Sequence, residues 1–205
     1  MKKKVALFDF DNTVATGDSI VRLLKYDIKK HPLHIFYFVK VALYYGLYLL
    51  HLSSFEKAKA TLLFPLLSMN DDDLKAFYEE CIVPTYYLNV VEEMQIKKDQ
   101  GYFIILCTAS IEAYMQYHQL PVDKLIGTQI KRVGKKWIPE LVDKNCKKHQ
   151  KVRYIENYLK SCDIEIDYEN SYGYSDSNDD IPMLQLVKHK KRVLLKTGKI
   201  VDFQE

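Results

Sequence analysis

The sequence predicts an α/β fold, a doubly wound parallel sheet interrupted by a long helical insertion. Two continuous apolar runs, residues 5–8 and 102–107, have the composition of strands that are buried on both faces. Segments with helical periodicity alternate with these and later strands, as in a doubly wound sheet. Polar clusters follow three of the strands, and ligands of such sheets bind at the carboxyl ends of the strands.

Length and composition limit the range of functions that the chain can have. The chain has 205 residues, of which 48% are hydrophobic and 28% are charged, as in a soluble globular protein with a sizeable core. The net charge of +3 comes from basic residues interspersed with acids, so no nucleic-acid partner is expected. Only four apolar residues separate the N-terminal lysines from the first carboxylate, which is too short for a signal peptide.

The four cysteines, Cys81, Cys107, Cys146 and Cys162, show no CxxC spacing. They predict neither a zinc site nor a disulfide framework, and they fit a reducing, cytoplasmic location best.

The first strand ends on carboxylates. Asp9 and Asp11 follow the apolar run directly, and the hydroxyl of Thr13 comes two residues later. Two like charges this close at the end of a buried strand repel each other unless a cation lies between them, which points to a divalent metal ion. An Asx turn that closes an ordinary strand would produce the same local pattern, so the other clusters must decide.

The helical insertion begins after Gly17. Apolar residues recur at helical spacing from Ile20 to Tyr26, and Asp18 is placed either to cap this helix or to contact a substrate. A basic group follows at its end (Lys25, Lys29, Lys30 and His31).

Residues 33–52 form a long apolar segment that predicts one continuous helix. Three interpretations stay open: a helix packed inside a helical subdomain, a helix lying on a membrane with the basic group near anionic lipid, or a membrane span. Lys40 near the middle of the segment argues against a simple span, because a lysine at the bilayer centre is costly.

Further elements follow in order. Helices are expected over 53–67, 70–83 and 89–98, with Asn70 and the three aspartates after it forming a capped N-terminus rather than a metal site. Beyond the second long strand we expect a strand at 125–128, a hairpin over 129–141 turned at Gly134, and a helix at 151–159. Short strands are expected at 171–175 and 192–196.

Three polar clusters close the strands of this predicted sheet. They are Asp9 with Asp11 and Thr13, Thr108 with Ser110, and Asp176 with Asp179 and Asp180. Because the carboxyl ends of parallel strands share one edge, the clusters are expected to converge on one crevice.

The run from Asp9 to Val14 resembles motif one of the haloacid-dehalogenase-like (HAD) phosphatases. Thr108 matches motif two, Lys151 matches motif three better than the neighbouring Lys147 or Lys148, and Asp176 with Asp180 matches motif four. The resemblance covers nearly the whole chain. It implies a HAD core over 1–16 and 98–205, and an all-helical cap of the C1 type over 17–97.

The resemblance also implies roles for these residues. Asp9 would be the nucleophile, Asp11 the general acid and base, and Thr108, Ala109 and Lys151 would bind the phosphate. Mg²⁺ would be held by the Asp9 carboxylate, the Asp11 carbonyl and the Asp176 carboxylate, with Asp180 behind these ligands.

The motifs are most similar to subfamily IB, the phosphoserine-phosphatase-like group, which implies a small phosphomonoester as substrate. Asp18 and Arg22 are the candidate substrate contacts. The basic and then apolar cap also resembles that of bacterial C-type phosphatidylglycerophosphate phosphatases, which leaves a phospholipid head group at a membrane surface as the alternative. A third possibility is an inactive scaffold that binds a membrane or another partner.

Overall fold

A six-stranded sheet forms the centre of the molecule. The computed structural model describes residues 1–204. The strands of this sheet are β2 (Val5–Phe8), β3 (Phe103–Ile111), β4 (Lys124–Thr128), β8 (Tyr172–Ser175), β9 (His189–Val193) and β10 (Ile200–Asp202). Their order across the sheet is β10-β9-β8-β2-β3-β4. Adjacent strands from β9 to β4 are parallel, and only the edge strand β10 is antiparallel to its neighbour.

Two small pairs of strands accompany this sheet. β1 (Lys2–Lys3) pairs with β7 (Glu165–Ile166), and β5 (Ile130–Val133) pairs with β6 (Lys136–Leu141) as the predicted hairpin. The predicted doubly wound α/β fold is therefore confirmed.

Helices cover both faces of the sheet because successive residues of its strands point to opposite sides. Val5 and Leu7 pack with one group of apolar side chains, and Ala6 and Phe8 pack with another. The α-helices are α1 (Ser19–Lys30), α2 (Tyr37–Leu49), α3 (Phe55–Thr61), α4 (Asp71–Phe77), α5 (Leu88–Asp99), α6 (Glu112–Met115), α7 (His149–Ser161) and α8 (Ile181–Leu184).

The chain enters and leaves the helical insertion through two segments that pair with each other. Ala15 forms isolated β-bridges to Asp11 and Tyr86, and the Tyr87 amide donates to the Val14 carbonyl at 2.9 Å. Helix α5, which follows, contacts β3. The sequence-based boundary at 97/98 lies near the end of α5, and we propose that the cap ends before this helix, near residue 86.

The apolar segment 33–52 is not one helix. A 3₁₀ turn over Pro32–Phe36 precedes α2, and His51 has a positive φ of 57° just after it. Val41 is the only buried residue of α2. Among residues 1–204, no helix is both long and apolar enough to cross a membrane.

Two other helices are shorter than predicted. The segment 53–67 divides into α3 and a 3₁₀ turn at Phe64–Leu67, where a proline occupies the first turn. After α4 the helix widens into a π turn over Tyr78–Ile82. The predicted cap of α4 is confirmed, because Asn70 and Asp73 form a reciprocal capping box.

The last predicted strand was wrong in its position. β9 covers His189–Val193 rather than 192–196, and the chain then turns through Lys196 and Gly198, both with positive φ, into β10. The apolar residues Leu194 and Leu195 suggested a continuing strand, but both are exposed.

Candidate active site

The turn after β2 places the first carboxylates. The Asp9 amide donates to the Tyr174 carbonyl of β8 at 3.0 Å, so strand pairing continues one residue beyond β2. The Phe10 carbonyl then accepts from the amides of Thr13 and Val14, at 3.1 and 2.8 Å. This tight turn ends the strand at Asp9, as the sequence predicted, and returns Thr13 to the Asp9 side chain.

A buried lysine joins two of the sequence clusters. Lys151 lies in the first turns of α7 and is only 2% exposed. Its Nζ lies 2.6 Å from Asp9 Oδ1 and 2.8 Å from Asp180 Oδ1. The other Asp180 oxygen accepts a hydrogen bond from Ser175 Oγ at 2.7 Å. The ammonium thus neutralises two carboxylates that would otherwise repel each other inside the protein.

The three lysines considered for the third motif separate clearly in space. Lys147 and Lys148 both reach Asp179 on the surface, at 2.9 and 3.5 Å. Only Lys151 contacts Asp9.

Thr13 connects Asp9 to Asp176. Its hydroxyl lies 3.4 Å from Asp9 Oδ2 and 3.1 Å from Asp176 Oδ1, and it accepts from the Asp176 amide at 3.0 Å. The single hydroxyl proton can serve only one of the two carboxylates at a time. The first and third clusters therefore meet around one threonine, as the predicted crevice requires.

The donor set in this crevice suits a hard divalent cation. No three His, Cys, Asp or Glu side chains in residues 1–204 come together as a metal cluster. The predicted Mg²⁺ set needs only two, Asp9 and Asp176, with the Asp11 main-chain carbonyl as the third oxygen. Burial raises the pKa of both carboxyl groups, so their ionised forms gain from an added positive charge. An oxygen-only set that leaves room for water is the environment Mg²⁺ prefers.

Asp11 accepts hydrogen bonds from a cluster of hydroxyl groups. Ser110 Oγ donates to its Oδ2 at 2.6 Å, and Ser19 contributes a backbone and a hydroxyl donor at 2.9 and 3.1 Å. Tyr114 is linked to the same Ser19 hydroxyl at 2.8 Å. These bonds fix the Asp11 carboxyl group between the sheet and the first cap helix.

The pKa values of the ionisable groups in the site are set mainly by burial and by the charge of Lys151. Burial raises the pKa of Asp9 to about 7, against the opposing effect of Lys151. Burial also raises the pKa of Asp11 to about 6, while the Ser110 hydrogen bond acts in the other direction. Burial lowers the pKa of Lys151, but Asp9 and Asp180 outweigh it and raise the pKa above its usual value. Asp11 thus has a pKa suited to proton transfer near neutral pH.

The second cluster forms an irregular, loop-like segment over 108–110 within the last part of β3, where the register with β4 shifts between Cys107 and Ile111. Thr108 is 1% exposed, and its hydroxyl accepts from the Ser110 amide at 3.0 Å. The Ala109 carbonyl accepts from Thr128 Oγ1 at 2.8 Å and from Lys59 Nζ at 2.7 Å. The loop predicted to bind phosphate is therefore held by hydrogen bonds on both sides.

The two candidate substrate contacts already have partners within the protein. Asp18 caps α1, since its side chain accepts from the amides of Ile20 and Val21 at 2.9 and 3.2 Å. Arg22 donates to the Thr16 carbonyl at 2.8 Å. The structure brings neither into contact with Asp9 or with residues 108–110, and their contact with substrate stays a prediction.

Sequence reasoning placed Thr13 and Ser110 in the clusters that converge on the site but assigned them no role there, and it did not single out Lys59. For Thr13 and Ser110 a signal was present, because both are hydroxyl residues in the clusters that follow strands. For Lys59 there was none, since it stands in an ordinary polar helix sequence.

The sequence profile of a known hydrolase family, described as "haloacid dehalogenase-like hydrolase", matches residues 6–185. This range contains every cluster described above. None of the curated proteins compared with the chain matches it significantly.

Solved structures share the fold at low sequence identity. A Bordetella pertussis Tohama I protein of unknown function has a TM-score of 0.76 and 21% identity, over 93% of this chain and 89% of the other. A substrate-bound phosphoserine phosphatase complex has a TM-score of 0.63 and 17% identity, over 93% and 85%. A phospho-aspartyl intermediate analogue of phosphoserine phosphatase has a TM-score of 0.61 and 18% identity, over 93% and 86%.

Proposed function

This chain belongs to the haloacid dehalogenase-like hydrolases, and from that premise we propose that it is a Mg²⁺-dependent phosphatase acting on a small phosphomonoester of the phosphoserine-like class. The observation that carries the proposal is the contact of Asp9 with both Lys151 and Thr13 at the carboxyl edge of the sheet. Two of the structures with the same fold are phosphoserine phosphatases, which supports this substrate class.

Asp9 is the proposed nucleophile. One of its carboxylate oxygens forms a bond to phosphorus while the bond from phosphorus to the alcohol oxygen breaks, which gives an aspartyl phosphate. Lys151 and the loop of Thr108 and Ala109 hold the phosphoryl oxygens and offset their charge. When bound by Asp9, Asp176 and the Asp11 carbonyl, Mg²⁺ supplies further positive charge to the phosphoryl group.

Asp11 is the proposed general acid and base. In its protonated form it donates a proton to the departing alcohol oxygen, and afterwards it takes a proton from the water that attacks the aspartyl phosphate. The second step releases inorganic phosphate and restores Asp9. The hydrogen bonds from Ser19 and Ser110 orient the Asp11 carboxyl group for both transfers.

The test is phosphate release from a panel of phosphomonoesters with Mg²⁺ present. We expect turnover by the wild-type protein, and its loss both in EDTA and in Asp9→Asn with the thermal unfolding transition preserved. Asp99→Asn is the control, because Asp99 is an exposed aspartate at the end of α5 that pairs with Gln95 and contacts no residue proposed for the reaction. Turnover by Asp9→Asn would rule out the assigned nucleophile, and turnover in EDTA would rule out the metal requirement.

A second candidate substrate is a phospholipid head group at a membrane surface, and the exposed apolar face of the cap favours it. Phe36, Val39, Leu43 and Leu50 recur at helical spacing and are 71%, 72%, 59% and 68% exposed. Lysines lie nearby in the sequence, so the surface combines apolar and basic groups as an interfacial helix does. An inactive scaffold with a membrane-binding cap would share this surface but release no phosphate.

Vesicle sedimentation separates these candidates. If the cap binds membranes, the protein sediments with vesicles containing phosphatidylglycerol, and the double substitution Val39→Glu with Leu43→Glu keeps it in the supernatant. Val133→Glu, at an exposed valine of the β5–β6 hairpin, is the control. A preference for phosphatidylglycerophosphate in mixed micelles by about a hundredfold, or ~2.7 kcal/mol, would establish the lipid substrate. No sedimentation and a preference for soluble esters would exclude it.

A further inference from the structure

A cap lysine lies buried against the core loops of the site. Lys59 belongs to α3 and is 8% exposed. Its ammonium donates to the Ala109 carbonyl at 2.7 Å and to the side-chain oxygen of Asn145, which precedes α7. It therefore crosses from the cap to two loops of the core. One of them is the loop that is proposed to bind phosphate.

The charge of Lys59 has no counter-ion among the described residues. Its two acceptors are neutral, and no carboxylate lies within ion-pair distance of its Nζ, whereas Lys151 contacts two carboxylates. A buried ammonium without a counter-ion is costly, and burial lowers the pKa of Lys59 to about 8. It is still mainly protonated at neutral pH.

The hydrogen-bonding capacity of this ammonium is also incomplete. A lysine ammonium has three N–H groups, and two are used by Ala109 and Asn145. Thr128 Oγ1 is bonded to the same two acceptors, at 2.8 and 2.9 Å, so the acceptors are fixed from the core side. The lysine is therefore held in place by a rigid pair of oxygens, with one donor left over.

The position of Lys59 indicates which part of a substrate it would meet. Asp11 and Asp18 are the carboxylates close enough to favour its charged form. Ala109, its acceptor, directly precedes Ser110, which donates to Asp11 at 2.6 Å. If Asp11 protonates the departing alcohol, as proposed above, Lys59 lies on the side of the alcohol rather than on the side of Asp9.

We propose that Lys59 is a specificity-determining residue that binds a second anionic group, a carboxylate or a second phosphate, on the alcohol part of the substrate. The inference rests on the proposed phosphatase function and deepens it. Filling the site gives the buried ammonium the counter-ion that the protein itself does not provide. Substrates without this group leave the charge uncompensated and bind more weakly.

The test compares paired esters that differ in one anionic group. 3-Phosphoglycerate is paired with glycerol 3-phosphate, and fructose 1,6-bisphosphate with fructose 6-phosphate. KM and kcat are measured with Mg²⁺ for the wild type, Lys59→Met, Lys59→Arg and Lys57→Met. Lys57 is an exposed lysine two residues away on the same helix and serves as the matched control.

We expect Lys59→Met to raise KM for the ester with two anionic groups by tenfold or more relative to the ester that carries the phosphate alone, in at least one pair. Loss of the hydrogen bond to Ala109 acts on both esters of a pair alike, so the ratio of their KM values reports the second anionic group. Lys59→Arg should restore part of the lost selectivity, and Lys57→Met should behave as the wild type. Retention of the thermal transition by Lys59→Met excludes misfolding, and Lys59→Gln provides a second neutral variant if the first does not fold.

Two results would overturn this inference alone. An equal loss for both members of each pair would make Lys59 a positioning residue for the segment 108–110, and an unchanged ratio without loss would leave it no role in binding. Failure of the wild type to hydrolyse any ester would instead refute the proposed function. A direct measurement completes the set: binding of 3-phosphoglycerate to Asp9→Asn by calorimetry should weaken when Lys59→Met is added.

Discussion

Replacement of Lys151 by methionine tests the electrostatics of the whole site. Lys151 Nζ contacts Asp9 at 2.6 Å and Asp180 at 2.8 Å, and all three side chains are buried. Methionine has a similar length but no charge, so the substitution removes the ammonium with little change in packing volume. Two carboxylates then face each other in the interior without a cation.

The expected loss of stability depends on pH. Removing one partner of a buried ion pair costs about 3–5 kcal/mol. Burial already raises the pKa of Asp9 to about 7, and the positive charge of Lys151 prevents a further rise. Without Lys151 the pKa of Asp9 in the folded protein rises further. At low pH Asp9 is then protonated and uncharged, so the variant avoids part of the cost of a buried, unpaired carboxylate. Because the pKa of Asp9 in the folded variant exceeds its unfolded value by more than in the wild type, the stability of the variant falls with rising pH over a wider pH range. The difference between variant and wild type should grow above pH 7 by about 1.4 kcal/mol for each pH unit.

Urea unfolding in EDTA at pH 6.0 and pH 8.5 measures this difference. We expect the destabilisation to be larger at pH 8.5 by about 1–2 kcal/mol, and phosphate release with Mg²⁺ to fall by about 10²–10³-fold. Lys160→Met, at an exposed lysine of the same helix, controls for the loss of charge from α7. An identical destabilisation at the two pH values would refute the assignment of Lys151 as the counter-charge of Asp9.

Three further predictions concern neighbouring groups. Thr13→Val removes the hydroxyl between Asp9 and Asp176, so we expect the Mg²⁺ concentration needed for half-maximal activity to rise about tenfold or more in a metal titration. Burial raises the pKa of Asp11 from 3.8 to about 6, so the wild type loses stability as pH rises from 4 to 7. Asp11→Asn lacks this loss and should gain up to about 3 kcal/mol relative to the wild type over that range in EDTA, whereas a pH-independent difference would contradict the shift. A Cβ at Gly173 would lie 2.8 Å from a side-chain carbon of Leu184 in α8. Gly173→Ala should therefore lower the free energy of unfolding, measured in urea, by about 1–3 kcal/mol. An unchanged free energy of unfolding would contradict this close contact.

The core of the fold could be predicted because its signals are local. Val5–Phe8 and most of Phe103–Ile111 are apolar on both faces, which only a covered parallel sheet explains well. The carboxylates and hydroxyls that follow these strands needed no long-range information to be noticed. Their convergence followed from sheet topology alone, since parallel strands end on one edge.

The helical boundaries of the cap could not be read with the same accuracy. Residues 33–52 are apolar at nearly every position, so periodicity does not separate a buried face from an exposed one. Pro32 was a visible signal for the 3₁₀ turn that opens the segment, but no glycine or asparagine marks the positive φ of His51. Apolar composition alone therefore says little about which residues of this segment are covered.

Lys59 illustrates why the sequence says less about the substrate than about the reaction. The groups proposed for the chemistry lie in turns directly after strands or at the start of a helix, so each carries a short sequence pattern. Lys59 lies in Phe55–Thr61 beside two other charged residues, where a lysine is normally solvated. Its burial follows from how the cap rests on the loops of Ala109 and Asn145, a contact between segments 50 and 86 residues apart. A cap can therefore exchange such a residue without altering any motif of the core, and proteins with the same proposed chemistry can differ in the anions they accept.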